Sequence, residues 1–408
     1  MNQKIYEEYA KLAVEIGINL KEGQDVEITA STKCADFVKE IVKVCYADKA
    51  RSVKVEWLNE EIDKLRWLYE DEKVMSEVLT WQEEKAKHRA ETLPCKIYVD
   101  DADPDAYNGI DLKKYAAVRK ARYSVLKKYS DMEDNRNQWV IVAIPSVKWA
   151  KKVFPALSDD EAVSKLWEAI IKTMRLDQKD PVQAWKDHID DLQEKSNKLN
   201  EMNLDYLEYK SSNGTDLTLK LQPNHYWISA RETNMLGNDF TANMPTEEVF
   251  TMPKRDGVDG VVVSTKPLSL QGQLVENFKV TFKDGKCVEV TAEKGQDVLE
   301  NMLNMDENSR HLGEVALVPY DSPINQTGLL FSNTLFDENA CCHLAFGEAF
   351  KNNIRGYENM SEEDFKKVGF NESINHVDFM IGSDDLDIVG VDHDGNRHQI
   401  FKNGVWAI

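Results

Sequence analysis

The chain has 408 residues, a length that predicts two or three domains rather than one compact core. It carries 51 Lys and Arg against 72 Asp and Glu, a formal net charge of −21, which disfavours nucleic acid and anionic membranes as partners. The first residues lack the apolar core of a signal peptide, and no apolar run is long enough to cross a membrane. Six scattered cysteines show no disulfide framework, so we expect a cytoplasmic protein.

The first half of the chain alternates strands with helices. Apolar runs at 26–30, 52–57, 95–99 and 139–144 predict strands, and the stretches between them predict helices, including a long charged one at 71–90. This order favours a mostly parallel sheet with helices on its faces. Neither GxGxxG nor GxxxxGK[ST] interrupts it, so no nucleotide-binding site is indicated.

The second half is rich in hairpin turns, such as Asp284-Gly285 and Asn403-Gly404 beside β-rich sequence. We therefore predict an α/β domain over residues 1–203 and a mainly antiparallel β (α+β) domain over residues 204–408. The second domain is expected to carry the functional site. Its inserted helices are expected near 298–305 and 337–350.

Two histidines and several acids gather between residues 334 and 378. His376 and Asp378 are two residues apart in a run whose composition suits a strand, so both side chains point to one face. An imidazole and a carboxylate form a ligand set for zinc or a similar divalent ion. By itself the pair also fits an ordinary solvated strand.

Further acids lie beside apolar segments. Glu247 and Glu248 follow a proline turn, and Glu314 enters the apolar run 315–318. A buried carboxylate needs a partner. A metal ion is one such partner, and an arginine or a cluster of backbone N–H groups is the structural alternative.

The segment 334–350 is expected to be helical. In that conformation His343 and Phe350 share one face, and Glu338 can approach His343 only from the first turn of the helix. Four acids carry four negative charges when ionised, and two divalent ions would balance them. These acids are Glu248, Glu314, Glu338 and Asp378. A water shared by two such ions is a nucleophile near neutral pH.

Four stretches, in this order, resemble the M29 family of metalloaminopeptidases, which contains aminopeptidases T and S and the PepS-like enzymes. They are NMPTEEVFT (243–251), LGEVALV (312–318), TLFDENACCHLA (334–345) and NHVDFMIG (375–382). The resemblance extends over nearly the whole chain. It implies a cytoplasmic homodimer that removes N-terminal residues from peptides with two divalent metal ions, variously zinc, cobalt or magnesium. The metal ligands that it implies are Glu248, Glu314, Glu338, His343, His376 and Asp378.

One position departs from the family pattern. The resemblance implies a tyrosine seven residues after His343, and this chain has Phe350, which has no hydroxyl to donate to an oxyanion. Tyr357 is a candidate substitute from the following loop. The general base is left open between Glu338 and Glu247.

Two alternatives to a metalloaminopeptidase remain. One is another metallohydrolase, such as an amidase, built on the same ligands. The other is a metal-binding or peptide-binding relative whose activity is reduced because of Phe350. The absence of HExxH and GxSxG disfavours zincins and serine hydrolases.

Overall fold

The computed structural model describes residues 3–101, 103–270 and 273–408. The chain divides into two compact units. The first runs to Lys186 and includes Arg231–Met244, and the second comprises Asp187–Ala230 and Pro245–Ile408. The predicted domain boundary after residue 203 stays a prediction, because compactness does not measure independent folding.

The first unit is built on a parallel sheet, as its strand–helix alternation predicts. Its four strands lie in the order second, first, third, fourth along the chain. A short antiparallel pair, Glu232–Thr233 with Asp239–Phe240, belongs to the same unit. The parallel strands are Asp25–Ser31, Ser52–Leu58, Cys95–Asp100 and Trp139–Ala143.

Helices connect these strands, and a π-helical turn, Leu12–Gly17, continues the first of them. The helix Pro181–Met202 follows the unit's other helices and extends beyond it along the chain. The helices before it are Gln3–Lys11, Ala35–Ala47, Glu60–Tyr69, Glu72–Ser76, Thr80–Thr92, Leu112–Glu133, Val147–Val153 and Asp159–Thr173.

The single charged helix predicted at 71–90 is wrong. The chain forms two helices there, Glu72–Ser76 and Thr80–Thr92, separated by extended backbone. Asp71 caps the first of them by accepting a hydrogen bond from the Lys73 N–H. An acid at an N-cap favours a helix start at that point, and helical charge spacing does not reveal such a break.

The second unit contains a nine-stranded antiparallel sheet. The turn Asp284-Gly285 joins two of its strands with φ of 49° and 79°, so the predicted hairpin is confirmed. The strands are Leu204–Lys210, Asp216–Leu221, Pro253–Val263, Leu268–Leu270, Gln273–Lys283, Lys286–Lys294, Asp387–Asp392, Arg397–Lys402 and Val405–Trp406.

A separate four-stranded antiparallel sheet, here called the site sheet, lies in the same unit. Its strands in spatial order are His376–Met380, His343–Gly347, Leu312–Leu317 and Val249–Thr251. The short helices of this unit are Gln296–Leu303, Thr334–Asp337 and Glu362–Lys367. The first of these confirms the helix predicted at 298–305.

The helix predicted at 337–350 is wrong. The helix Thr334–Asp337 passes into a 3₁₀ turn, Glu338–Ala340, and Cys341 then becomes fully extended. His343–Gly347 forms a strand that pairs on both sides, and inter-strand hydrogen bonding prevails over the helical spacing of the apolar residues. Among the described residues, no helix is both long and apolar enough to cross a membrane.

Candidate metal centre

The register of the site sheet places acids and histidines on one face. Glu314 lies opposite Ala345, and Ala345 lies opposite Asp378. Directly opposed residues in antiparallel strands share a face, so both carboxylates project to the same side with only a methyl group between them. The small side chain of Ala345 leaves the space in which the two acids converge.

The remaining positions of this face follow the same pattern. His343 lies opposite Ala316, and His376 lies opposite Gly347. The other face is apolar, with the rings of Phe346 and Phe379 stacked 4.9 Å apart. Each strand therefore separates a hydrophobic side from a polar side by its two-residue period.

A first cluster consists of Glu314, His376 and Asp378, whose possible ligand atoms all lie within 4.8 Å of one another. The Nε2 atom of His376 is 3.0 Å from a Glu314 oxygen and 3.2 Å from an Asp378 oxygen. Its Nδ1–H donates to the Glu348 carbonyl at 2.7 Å, which fixes the tautomer and directs Nε2 to the carboxylates.

A second cluster consists of Glu248, Glu314 and His343, all buried. Glu248 immediately precedes the strand Val249–Thr251, and its carboxylate is 3.4 Å from His343 Nε2. The Nδ1 atom of His343 is buried and has no hydrogen-bond partner in the described structure. Glu314 belongs to both clusters and thereby joins them.

Glu338 lies in the 3₁₀ turn outside the site sheet, within electrostatic range of both clusters. Burial raises its pKa well above the usual value, and the charges of Asp378, Glu248 and Glu314 raise it further. For His376, burial alone would lower the pKa, but Asp378 and Glu314 outweigh it and hold the pKa well above its usual range. Glu338 and His376 thus lie in a region of concentrated negative charge.

The residues present fit divalent metal binding. Four carboxylates and two imidazoles supply only oxygen and nitrogen donors, the ligand types that zinc, cobalt and magnesium accept. The Nδ1 atom of His343 is buried without a protein partner, and a buried polar atom of this kind requires another partner, for which a cation is suitable. Five of the six sequence-predicted ligand candidates therefore lie in the two clusters, and the charge of the sixth, Glu338, interacts with them.

Glu247 points elsewhere. Its carboxylate is 3.5 Å from Nε2 of His188, which also lies 2.8 Å from the Thr246 carbonyl oxygen. His188 is not among the sequence-predicted site residues, although it lies three residues after the buried Trp185 and hence near the buried side of its helix. Glu247 therefore has a partner outside the two clusters.

Phe350 does not lie on a helix with His343, but it still borders the site. Its ring centroid is 4.8 Å from that of His376, and the residue is 39% exposed. Phe250 contacts it edge-on, with the ring centroids 6.0 Å apart. Tyr357 packs against a separate apolar cluster that includes Met252 and Phe365, so its candidacy as a substitute donor gains no support.

We expect the metal-free protein to lose thermal stability as the pH rises from about 6 to 9. A raised folded-state pKa stabilises at low pH, and the contribution is lost as the pH passes through that pKa. His376 and Glu338 act in this direction, as do Asp337 and Glu348, whose pKa values burial raises to about 7. A drop in Tm of at least ~2 °C is expected in chelator-treated protein.

Differential scanning fluorimetry across this pH range measures the effect, with metal-loaded protein as the control. The loaded protein is expected to show a flatter profile, because bound cations replace protons at the acids. Asp378 has a lowered pKa, so its stabilising contribution is present throughout this window and is lost only as the pH falls into the acidic range. A metal-free Tm that stays constant or rises from pH 6 to 9 contradicts the expectation.

Known proteins resemble this chain over almost its whole length. A family model described as thermophilic metalloprotease (M29) matches residues 2–406. Aminopeptidase AmpS of Bacillus subtilis is 48% identical over 400 residues, covering 98% of this chain and 97% of the relative. Aminopeptidase PepS of Streptococcus thermophilus is 44% identical over 404 residues, covering 98% of each chain.

A solved structure has the same fold. Wild-type AmpT from Thermus thermophilus matches with a TM-score of 0.91 at 38% identity, over 100% of both chains. The predicted fold class is therefore confirmed, with helices around a parallel sheet in the first part of the chain and antiparallel sheets in the second.

Proposed function

The chain belongs to the M29 family of metalloproteases and is a metal-dependent aminopeptidase, a hydrolase of the exopeptidase class, and we propose that it works with two divalent ions. The observation that supports two ions is the pair of clusters joined by Glu314. Zinc, cobalt and magnesium are the proposed ions. The proposed ligands are Glu248, Glu314, Glu338, His343, His376 and Asp378.

When bound, such ions polarise the scissile carbonyl and lower the pKa of a bound water. The protein's own contribution is positional. The site sheet fixes Glu314, His376 and Asp378 by its register, and the Glu348 carbonyl holds the His376 ring in one tautomer. These side chains therefore need little rearrangement before binding a cation.

Glu338 is the proposed proton carrier in addition to being a ligand candidate. It lies in the 3₁₀ turn outside the sheet register, where the charges of Glu248, Glu314 and Asp378 act on it. A carboxylate placed beside the site in this way can accept and return a proton. It would take a proton from the attacking water and deliver it to the leaving amine. The substrate's free α-amine would be held by a metal ion or by an acidic side chain, which would restrict action to N-termini.

Metal removal is expected to abolish release of leucine and other amino acids from their anilides. Added cobalt or zinc is expected to restore it in the wild type but not in His376→Ala, which lacks a ligand contacting two carboxylates. Chromogenic anilide assays before and after chelator treatment measure this. Tight metal binding without release of any N-terminal residue would contradict the proposal and favour the metal-binding or peptide-binding alternative.

A different metallohydrolase, such as an amidase, is the second alternative. The half-exposed Phe350 beside His376 supports the other alternative, a relative with reduced peptidase activity. Digesting peptides with free and with acetylated N-termini separates these functions. Sequential loss of residues from the free peptides alone supports an aminopeptidase, and equal cleavage of both supports a general amidase.

We further propose a cytoplasmic homodimer that binds neither nucleic acid nor membranes. The helices Glu60–Tyr69 and Thr80–Thr92 expose Ile62, Leu65 and Trp81 at 57%, 53% and 63%, and exposed apolar groups of this kind support a protein partner. Light scattering is expected to give twice the chain mass of 46.8 kDa. The Leu65→Glu variant should shift the mass toward a monomer, and a wild-type monomer would contradict the proposal.

A further inference from the structure

Two of the six candidate ligands lie outside the hydrogen-bond ladder of the site sheet. Glu314, His343, His376 and Asp378 occupy strand positions fixed by their pairing. Glu248 precedes its strand, and Glu338 lies in a 3₁₀ turn. Other contacts must therefore hold these two carboxylates at the clusters.

Asn339 supplies such contacts. Its side chain is fully buried, and its Oδ1 accepts a hydrogen bond from the Glu247 N–H at 2.8 Å. Its Nδ2 donates to the Leu335 carbonyl at 3.1 Å and approaches a Glu338 carboxylate oxygen at 3.4 Å. One neutral amide thus connects the segment before the strand Val249–Thr251 with the turn that carries Glu338.

This connection is important because the carboxylates of the two clusters repel one another. Ionised carboxylates that converge in a buried site push each other apart until a cation binds. The sheet register resists this force for the strand residues. Glu248 and Glu338 lack that restraint, and the Asn339 amide provides a cross-link between their segments without adding charge.

We propose that Asn339 is a positioning residue, which holds the Glu248 segment against the Glu338 turn so that both carboxylates are ready for a divalent cation. This inference rests on the proposed function of the same six-residue site. Asn339 touches neither substrate nor reacting atoms in this role. Its effect is transmitted through the two acids that it holds.

The test compares Asn339→Leu and Asn339→Ala with a matched control, Asn200→Leu. Asn200 is half-buried and also joins distant segments through backbone groups, because its Oδ1 accepts from the Trp227 N–H and its Nδ2 donates to the Trp227 carbonyl, each at 2.9 Å. It contacts none of the six candidate ligands in the described contacts. Zinc affinity is measured by competition with a chromophoric chelator, and kcat and KM are measured on a leucine anilide.

Both Asn339 variants are expected to bind Zn²⁺ ~10–100-fold more weakly, as when an outer partner of a metal ligand is lost. At saturating metal, kcat is expected to fall, and the fold-change in kcat is expected to exceed the fold-change in KM. Asn200→Leu is expected to lower Tm while leaving zinc affinity and kcat near the wild-type values. This separates positioning from ordinary structural support.

Zinc affinity and kcat within twofold of wild type in both Asn339 variants would overturn the inference. So would failure of both variants to fold while Asn200→Leu folds, because that outcome assigns Asn339 to stability. A wild type that binds zinc but hydrolyses nothing contradicts the proposed function instead, while leaving the affinity comparison intact.

Discussion

Glu314→Gln is expected to lower kcat/KM at least about a thousandfold, because metal-assisted charge stabilisation is worth several kcal/mol and each ~1.4 kcal/mol is a factor of ten. Glu314 is the one residue shared by both clusters, and it lies 3.0 Å from His376 Nε2. The glutamine has the same shape but lacks the charge. Zinc content and anilide hydrolysis are expected to fall together in this variant.

Glu289→Gln is the matched control for this change. Glu289 is exposed on the strand Lys286–Lys294, so its loss of charge should leave both measurements near the wild-type values. Full activity in Glu314→Gln with normal metal content would show that the shared carboxylate is not needed at the centre.

Phe350→Tyr is expected to raise kcat on anilide substrates by ~10–100-fold. Phe350 contacts the His376 ring and is 39% exposed, so a hydroxyl can be added without filling a closed core. A donor aimed at a developing oxyanion contributes ~10²–10³ in rate, and a newly introduced one is expected to recover part of this. The gain should appear in kcat more than in KM.

Phe250→Tyr tests whether the position matters. Phe250 contacts Phe350 edge-on. The substitution therefore adds the same hydroxyl on the neighbouring ring. Steady-state kinetics of the two variants should show the gain only in Phe350→Tyr. An unchanged or lower kcat in that variant would mean that another donor already acts at the site.

The sequence predicts which acids and histidines come together better than it predicts the elements that carry them. The two-residue spacing of His376 and Asp378 places both on one face of a strand, and the structure has them there. His343 lies at the site although the expected helix is a strand. A short His-Leu-Ala-Phe-Gly run fits either period, and only pairing with neighbouring strands decides between them.

Contacts between segments that are distant in sequence could not be predicted from the sequence. Only the strand register shows that the Ala345 methyl lies between Glu314 and Asp378. The contacts of Asn339 with Glu247 and of His188 with Glu247 join residues far apart in sequence. Composition and periodicity describe local structure, whereas these contacts depend on the tertiary fold.

Metal stoichiometry measured against activity tests the two-ion centre most directly. Metal-free protein is titrated with zinc or cobalt, bound metal is measured by mass spectrometry, and leucine anilide hydrolysis is followed at each point. We expect full activity only when two ions are bound per chain, and loss of that second equivalent in His376→Ala. Full activity at one ion per chain, or none at two, would contradict the two-metal aminopeptidase.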